Sequence, residues 1–137
     1  MHSKRKGNIG QFAVGLALTK LGYSIFTEEG DISKIDLIAE KGGRLIKIQV
    51  KAVTPIDGCI RLSLKKSGPN YQFSYNQDMF DYFGVYDLED DKVYLVSSEI
   101  LKKNNSLFNL RKEYAKNNQN NKVHYASDYE IDKVLRS

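Results

Sequence analysis

An acid, an amide and an amine stand on one short stretch, DLIAEKGGRLIKIQVK, which runs from Asp36 to Lys51. Two apolar runs flank Gly42-Gly43, a pair that favours a two-residue hairpin turn. With that turn, Lys41 pairs with Arg44 and Asp36 falls opposite Gln49. Directly paired side chains lie roughly 5 Å apart on one face of the ribbon. Lys51 is two residues beyond Gln49 and shares that face, so its ammonium reaches the same small volume. Leu37, Ala39, Ile46, Ile48 and Val50 fall on the opposite face and form the expected core. A slip of one residue would expose that set and bury Asp36, which fixes the register. A plain packed hairpin has no need of the three polar groups. A solvated face carrying an ion pair uses the same residues, and on spacing alone it is the plainer reading; Glu40 and Lys47 need nothing more.

The elements that must position this ribbon follow from periodicity and punctuation. A helix is expected over 7–22. Ile9, Phe12, Ala13 and Leu16 form one apolar stripe, and Val14, Leu18 and Leu21 a second. Apolar residues around most of its circumference imply deep packing or an interface. A short strand follows at 23–27, then an acidic turn at 28–34 carrying Glu28, Glu29 and Asp31. Beyond the ribbon, Pro55 and Gly58 mark a loop. The segments 60–65 and 71–75 alternate strictly around the turn KSGPN and read as a second hairpin. In it Tyr71, Phe73 and Tyr75 face the core. The segment 82–97 reads as two strands around an acidic turn, and 98–104 as a short helix. A polar loop occupies 117–122. Ser127 and Glu130 have the spacing of a capping box for a closing helix. Helices at both ends of a strand-rich middle indicate an α+β or mixed α/β class.

The 137 residues suit a single domain, 1–137. Hydrophobic residues make up 41% and charged residues 28%, a globular rather than a disordered balance. No apolar run approaches the roughly 20 residues that cross a bilayer, and MHSKRKGNIG carries no apolar signal core. A cytoplasmic protein is expected. The lone Cys59 allows no internal disulfide and no Cys-rich zinc site, and reads as a small strand residue. His2 and His124 are far apart, with no partner at metal-ligand spacing. A net charge of +4 tilts the chain towards an anionic partner, although an ordinary soluble surface has the same balance.

Three segments in order carry a resemblance. KGNIGQFAVGLALTKLGYSIF, GDISKIDLIAEKGGRLIKIQVK and FDYFGVYDLEDDKVYLVS resemble the opening helix and strand, the active-site hairpin and the following strand pair of the PD-(D/E)XK nuclease superfamily. Within it the chain is most similar to small group I intron-encoded homing endonucleases, over roughly the first hundred residues. The resemblance implies a restriction-endonuclease-like core: a mixed central β-sheet flanked by helices, with a DNA-binding β-hairpin. It implies site-specific, double-strand cleavage of DNA by phosphodiester hydrolysis with Mg²⁺, or Mn²⁺. Asp36 matches the metal-binding acid, Gln49 stands where most members have Glu or Asp, and Lys51 matches the catalytic lysine. Val50 would offer its backbone carbonyl to the metal. The family often has a Glu in the first helix where this chain has Gln11. Asp36 is then the only carboxylate at the matched positions, and catalysis is expected to be weakened. A junction-resolving or restriction-type nuclease, and a DNA-binding module with a weakened centre, stay open as alternatives.

A two-stranded ribbon fits the major groove of B-DNA. In 60–75, Arg61, Ser63, Lys65, Gln72 and Ser74 alternate along the ribbon, and Lys66 and Asn70 sit at its tip for phosphates. An amphipathic surface hairpin reads nearly as well. Lys4, Arg5 and Lys6 suit phosphate contact, or form a solvated tail. Cutting both strands calls for a symmetric homo-oligomer, dimer or tetramer, joined through the first helix or through Tyr82–Tyr86.

Overall fold

A computed structural model describes residues 1–30, 32–68, 71–104, 106–113 and 123–136; the side chains of 66–68 and 71–73 fall outside the description. Helix α1 (Ser3–Lys20) is followed by β1 (Ser24–Phe26), β2 (Leu37–Lys41) and β3 (Arg44–Val53). Then come β4 (Cys59–Ser63), β5 (Lys65–Gly68), β6 (Tyr71–Ser74), β7 (Tyr82–Asp87), β8 (Lys92–Ser97), β9 (Leu107–Arg111) and the short helix α2 (Ile131–Val134). The principal sheet has five strands in the order β1-β2-β3-β7-β8. Only β3 and β7 run parallel within it. No described helix is long and apolar enough to cross a membrane.

The β2–β3 register is the expected one, from Lys41–Arg44 to Leu37–Ile48. Gly42 (φ 59°) and Gly43 (φ 83°) both take the left-handed conformation that a two-residue turn of this kind requires. Leu37, Ala39, Ile46 and Ile48 are buried against Val14 and Leu18 of α1, with Leu95 and Ile131. Gly10 brings α1 down onto the sheet. A Cβ there would lie 2.9 Å from the Ala52 Cβ and 3.2 Å from a Val50 methyl. That close approach places the next residue, Gln11, beside β3.

The other face of the sheet carries a second, aromatic core. Ile60, Leu62 and Leu64 meet Tyr75, Phe80, Phe83, Phe108 and Leu110 there. Lys112, just past β9, ties this layer to the β7–β8 turn. Its ammonium is 2.9 Å from Asp87, 2.7 Å from Glu89 and 2.6 Å from Asp90. Burial of Lys112 disfavours its charged form, but the bonds to Asp90, Glu89 and Asp87 outweigh it and hold its pKa well above the ordinary lysine value.

Several expectations are corrected. The helix begins at Ser3, where His2 accepts the Lys4 amide at Nδ1 (3.2 Å). Periodicity missed this first turn because its residues are polar good helix formers. SKRK is therefore part of α1 and not a tail. The helix also buries a narrower stripe than its composition implied: Gly10, Val14 and Leu18 are buried, while Phe12 and Leu16 stay 78% and 56% exposed. Segment 60–75 is not one ribbon. Its first part, β4, pairs with β9, a strand that went unread in the sequence. Only β5 and β6 form the hairpin, with Lys65 opposite Ser74. The chain turns at Leu64, whose side chain is drawn into the aromatic core. No capping box forms at the C-terminus. Residues Ala126–Tyr129 are a 3-10 turn, and Glu130 caps α2 without a side-chain bond while pairing with Lys92 at 3.5 Å. The polar loop 117–122 lies outside the described residues.

Candidate active site

The β2–β3 ladder stops at Leu37–Ile48, and Asp36 is turned to another use. Its backbone N–H donates to the Ile48 carbonyl (2.9 Å), while its carboxylate Oδ2 accepts the Val50 N–H at 2.7 Å. The acid is thus held by the very strand that carries Gln49 and Lys51. An ionised carboxylate bonded to a backbone amide is a charge-assisted contact of defined geometry.

Gln49 is 7% exposed, and its Oε1 is a buried acceptor with no hydrogen-bond partner. Such an oxygen costs about 1–3 kcal/mol relative to a satisfied one. Gln49, Val50, Asp36 and Gln11 line a single cleft of about 580 Å³. The sequence therefore named four residues that the fold brings together, although Gln11 is 25 positions or more away from the others along the chain. Among the described residues no three His, Cys, Asp or Glu side chains cluster to hold a metal. The cleft offers oxygens of mixed kind instead: the carboxylates of Asp36 and Glu28 and the amide carbonyls of Gln11 and Gln49.

Lys4, from the first turn of α1, lines the same cleft, as do Asn8, Thr27 and Glu28. Of these, Asn8 and Thr27 went unread. No pattern marks them, since they come from two elements that meet only in the fold. Glu28 accepts the backbone N–H groups of Ile32 and Ser33 and the Ser33 hydroxyl. The Ser33 hydroxyl contributes most to holding its carboxyl below the ordinary value, with burial opposing it and the Ser33 and Ile32 amides adding to it. Glu28 thus ties Ile32 and Ser33 back to the edge of the cleft. The side chain of Asp31 lies outside the described residues.

Lys51 is half-buried on the aromatic side of the sheet. Its Nζ donates to the Tyr75 hydroxyl at 3.0 Å and lies 4.5 Å from the centre of that ring and 5.8 Å from the Phe83 ring. Burial raises the Tyr75 pKa, and the negative charge of Asp36 raises it further. Tyr75 thus feels the charge of Asp36 and bonds Lys51, whereas Lys51 is not among the residues that line the cleft of Asp36, Gln49 and Gln11. Alternation in sequence marks Tyr75 as core alone. It is core, at 6% exposure, but its hydroxyl end meets the lysine.

The family comparison accords with this geometry. The family model for PD-(D/E)XK endonucleases matches residues 1–132, well past the first hundred that carried the resemblance in sequence. The chain belongs to the PD-(D/E)XK endonuclease family. Its fold is also that of the bacterial homing endonuclease I-Ssp6803I, with a TM-score of 0.75 and 21% identity over 95% of this chain and 89% of that one. No curated protein matches the chain. This PD-(D/E)XK endonuclease therefore carries its glutamine, valine and lysine at 49–51 on a central strand of a restriction-endonuclease-like sheet.

The candidate DNA contacts of this endonuclease are dispersed. Arg61 and Ser63 are exposed on β4, beside β9, and the Ser63 hydroxyl donates to the Lys65 carbonyl (2.7 Å) at the corner between β4 and β5. Lys65 is half-buried and Ser74 exposed on the β5–β6 ribbon. The side chains of Lys66 and Gln72, and the whole of Asn70, lie outside the described residues. Lys4 and Arg5 are exposed on α1, and Lys6 is half-buried there. Tyr82–Tyr86 belongs to β7, between β3 and β8, with Phe83, Gly84, Val85 and Tyr86 buried. Of that segment only Tyr82 is half-buried rather than buried.

Proposed function

We propose that this protein is a site-specific double-strand DNA endonuclease of the homing type that hydrolyses phosphodiester bonds with a divalent metal ion, Mg²⁺ or Mn²⁺. The observation that carries the reading is the orphaned Oε1 of Gln49 in a cleft shared with Asp36 and Val50. A hard cation is the partner that relieves such an oxygen, and an all-oxygen set of carboxylate, amide and backbone carbonyl suits one that keeps several of its waters. When bound, the ion supplies Lewis acidity towards a phosphoryl oxygen and an acidified water. The chain's own groups do the rest. Asp36 is fixed by the Val50 N–H and contributes the negative charge. Lys51 holds its ammonium where it orients a water or stabilises charge growing on the phosphate. Lys4 stands at the rim for a flanking phosphate, and Arg5 and Lys6 extend that basic edge. The β5–β6 ribbon enters the groove with Lys65 and Ser74, and Arg61 and Ser63 flank it.

Both strands of a duplex are cut by two copies acting together. The exposed Phe12 and Leu16, one turn apart on α1, supply an apolar stripe for that contact.

A second reading is favoured by one observation. Both Gln11 and Gln49 are neutral in the cleft, which suits a module that holds DNA without cutting it. Incubation with a randomised duplex library and Mg²⁺, followed by sequencing of the new ends, separates the two. A preferred site with a fixed stagger is expected. Retention of DNA without a nick in Mg²⁺ or Mn²⁺, even for Gln11→Glu, decides for the binding module.

A further inference from the structure

We propose that Tyr75 is a positioning residue for Lys51, and that through it the seating of the β5–β6 ribbon sets where the lysine ammonium stands. The inference rests on the reading of Lys51 as the catalytic lysine.

A lysine side chain has a long flexible stem and a point charge at its end, so its placement must come from what surrounds it. Here the surroundings are specific. The ammonium donates to the Tyr75 hydroxyl at 3.0 Å and lies over the same ring at 4.5 Å. The ring itself is clamped. It meets Phe80 edge-on at 5.9 Å and Phe83 edge-on at 5.8 Å, and those two rings meet each other at 4.6 Å. Phe83 comes from β7, where it pairs with Gln49 of β3, so the clamp is built on the strand next to the lysine. With only 6% of Tyr75 exposed, its ring cannot follow a wandering ammonium.

Packing does not explain the hydroxyl. A phenylalanine fills the same hole and makes the same edge-on contacts, and a buried phenol is costly unless it is bonded. Burial and the Asp36 charge both disfavour the phenolate, so the group stays a neutral hydroxyl whose oxygen accepts from the ammonium. Tyr75 also follows directly on Ser74, the last residue of β6. A ribbon pressed by DNA therefore transmits its position to the lysine through one side chain.

The test uses Tyr75→Phe beside Lys51→Ala, each in the parent chain and in Gln11→Glu. Single-turnover cleavage in Mg²⁺ is measured together with DNA affinity and with the ¹H–¹⁵N signal of the Lys51 ammonium. Loss of one hydrogen bond to a charged group is expected to lower the cleavage rate about tenfold in Tyr75→Phe, with DNA affinity and melting temperature unchanged. The ammonium signal should broaden as its protons exchange faster with water. A merely structural tyrosine would leave rate and signal alone, since the ring remains. If Lys51→Ala abolishes cleavage while Tyr75→Phe cuts at the parental rate with an unaltered signal, the positioning role is overturned and the nuclease reading stands. If Lys51→Ala cuts normally, the reading of Lys51 falls, and the role of Tyr75 with it.

Discussion

Alternate residues of β3 look into two different worlds. Ile46, Ile48, Val50 and Ala52 face α1, where Ile46 and Ile48 pack on Val14 and Leu18 and Gly10 lets the helix press to within contact of the strand. Lys47, Gln49, Lys51 and Val53 face the other way, towards rings and polar ends. There a buried amide oxygen goes unpaired and an ammonium lies against two aromatic faces. The first side gains free energy from burial alone. The second accepts a desolvation cost that burial does not return. A strand that tolerates such a cost on one face needs a firmly packed opposite face to hold its backbone still. Stability and chemistry are thus separated by a single backbone, on alternate residues that point to opposite faces and should respond oppositely to substitution.

The sharpest way to break that division is to cut each side in turn. Ile48→Ala removes a fully buried side chain from the α1 face. It is expected to cost about 2–5 kcal/mol in denaturant unfolding, because the helix and strand cannot close the hole completely. Cleavage per folded molecule should hold. Lys51→Ala is the mirror case. Its expected loss is about 10²–10³-fold in cleavage rate, comparable to removing one preorganised donor from a transition state, with unfolding shifted by about 1–2 kcal/mol for the lost ring contact and the lost bond to the Tyr75 hydroxyl. If Lys51→Ala unfolds the protein as severely as Ile48→Ala does, the two faces are not separable and the comparison fails.

How much of this was legible in the sequence differs between the faces for a physical reason. The α1 face follows from period and turn chemistry. Gly42-Gly43 admits one register, and one register puts Leu37, Ala39, Ile46 and Ile48 together. The same rule sets Asp36 beside Gln49, and those two line one cleft, while Lys51, two residues on, meets Tyr75. The aromatic side is built from long-range contacts that no local pattern encodes. LFNLR at 107–111 alternates, with Phe108 and Leu110 buried, yet its partner β4 lies more than forty residues earlier. Segment 60–65 reads as the first arm of a hairpin because 71–75 is the nearest alternating run. The closing Ser127–Glu130 spacing was a local signal overridden by tertiary pairing, since Glu130 bridges to Tyr94 of β8. Tyr75 was legible as core, but the partner of its hydroxyl was not.

A gentler change sharpens the chemical face without touching the packed one. Gln11 lines the cleft from α1, half-buried, where a carboxylate adds negative charge beside Asp36. Gln11→Glu is expected to raise cleavage about tenfold at limiting Mg²⁺, near 1.4 kcal/mol of transition-state stabilisation. The gain should shrink as Mg²⁺ rises, because the added charge acts on cation affinity. Equal rates for both forms across the whole titration would show that residue 11 does not contribute to holding the ion.

The smallest expected effect is the most discriminating, because it has opposite signs with and without metal. Gln49→Met keeps the length of the side chain and removes its orphaned oxygen. Without divalent ions the variant should be more stable than the parent by about 1 kcal/mol, since a buried unpaired acceptor disappears. With Mn²⁺ added, the parent should gain stability by mass action, up to about 2.7 kcal/mol at a hundredfold excess over its dissociation constant. The variant should gain little, and the order of the two melting curves should invert. If the variant is the weaker protein even in chelator, the Gln49 oxygen was making a bond that stabilised the chain, and it is not a vacant ligand. If both proteins gain equally from Mn²⁺, the ion sits elsewhere, and the polar side of β3 is then a cost without a chemical return.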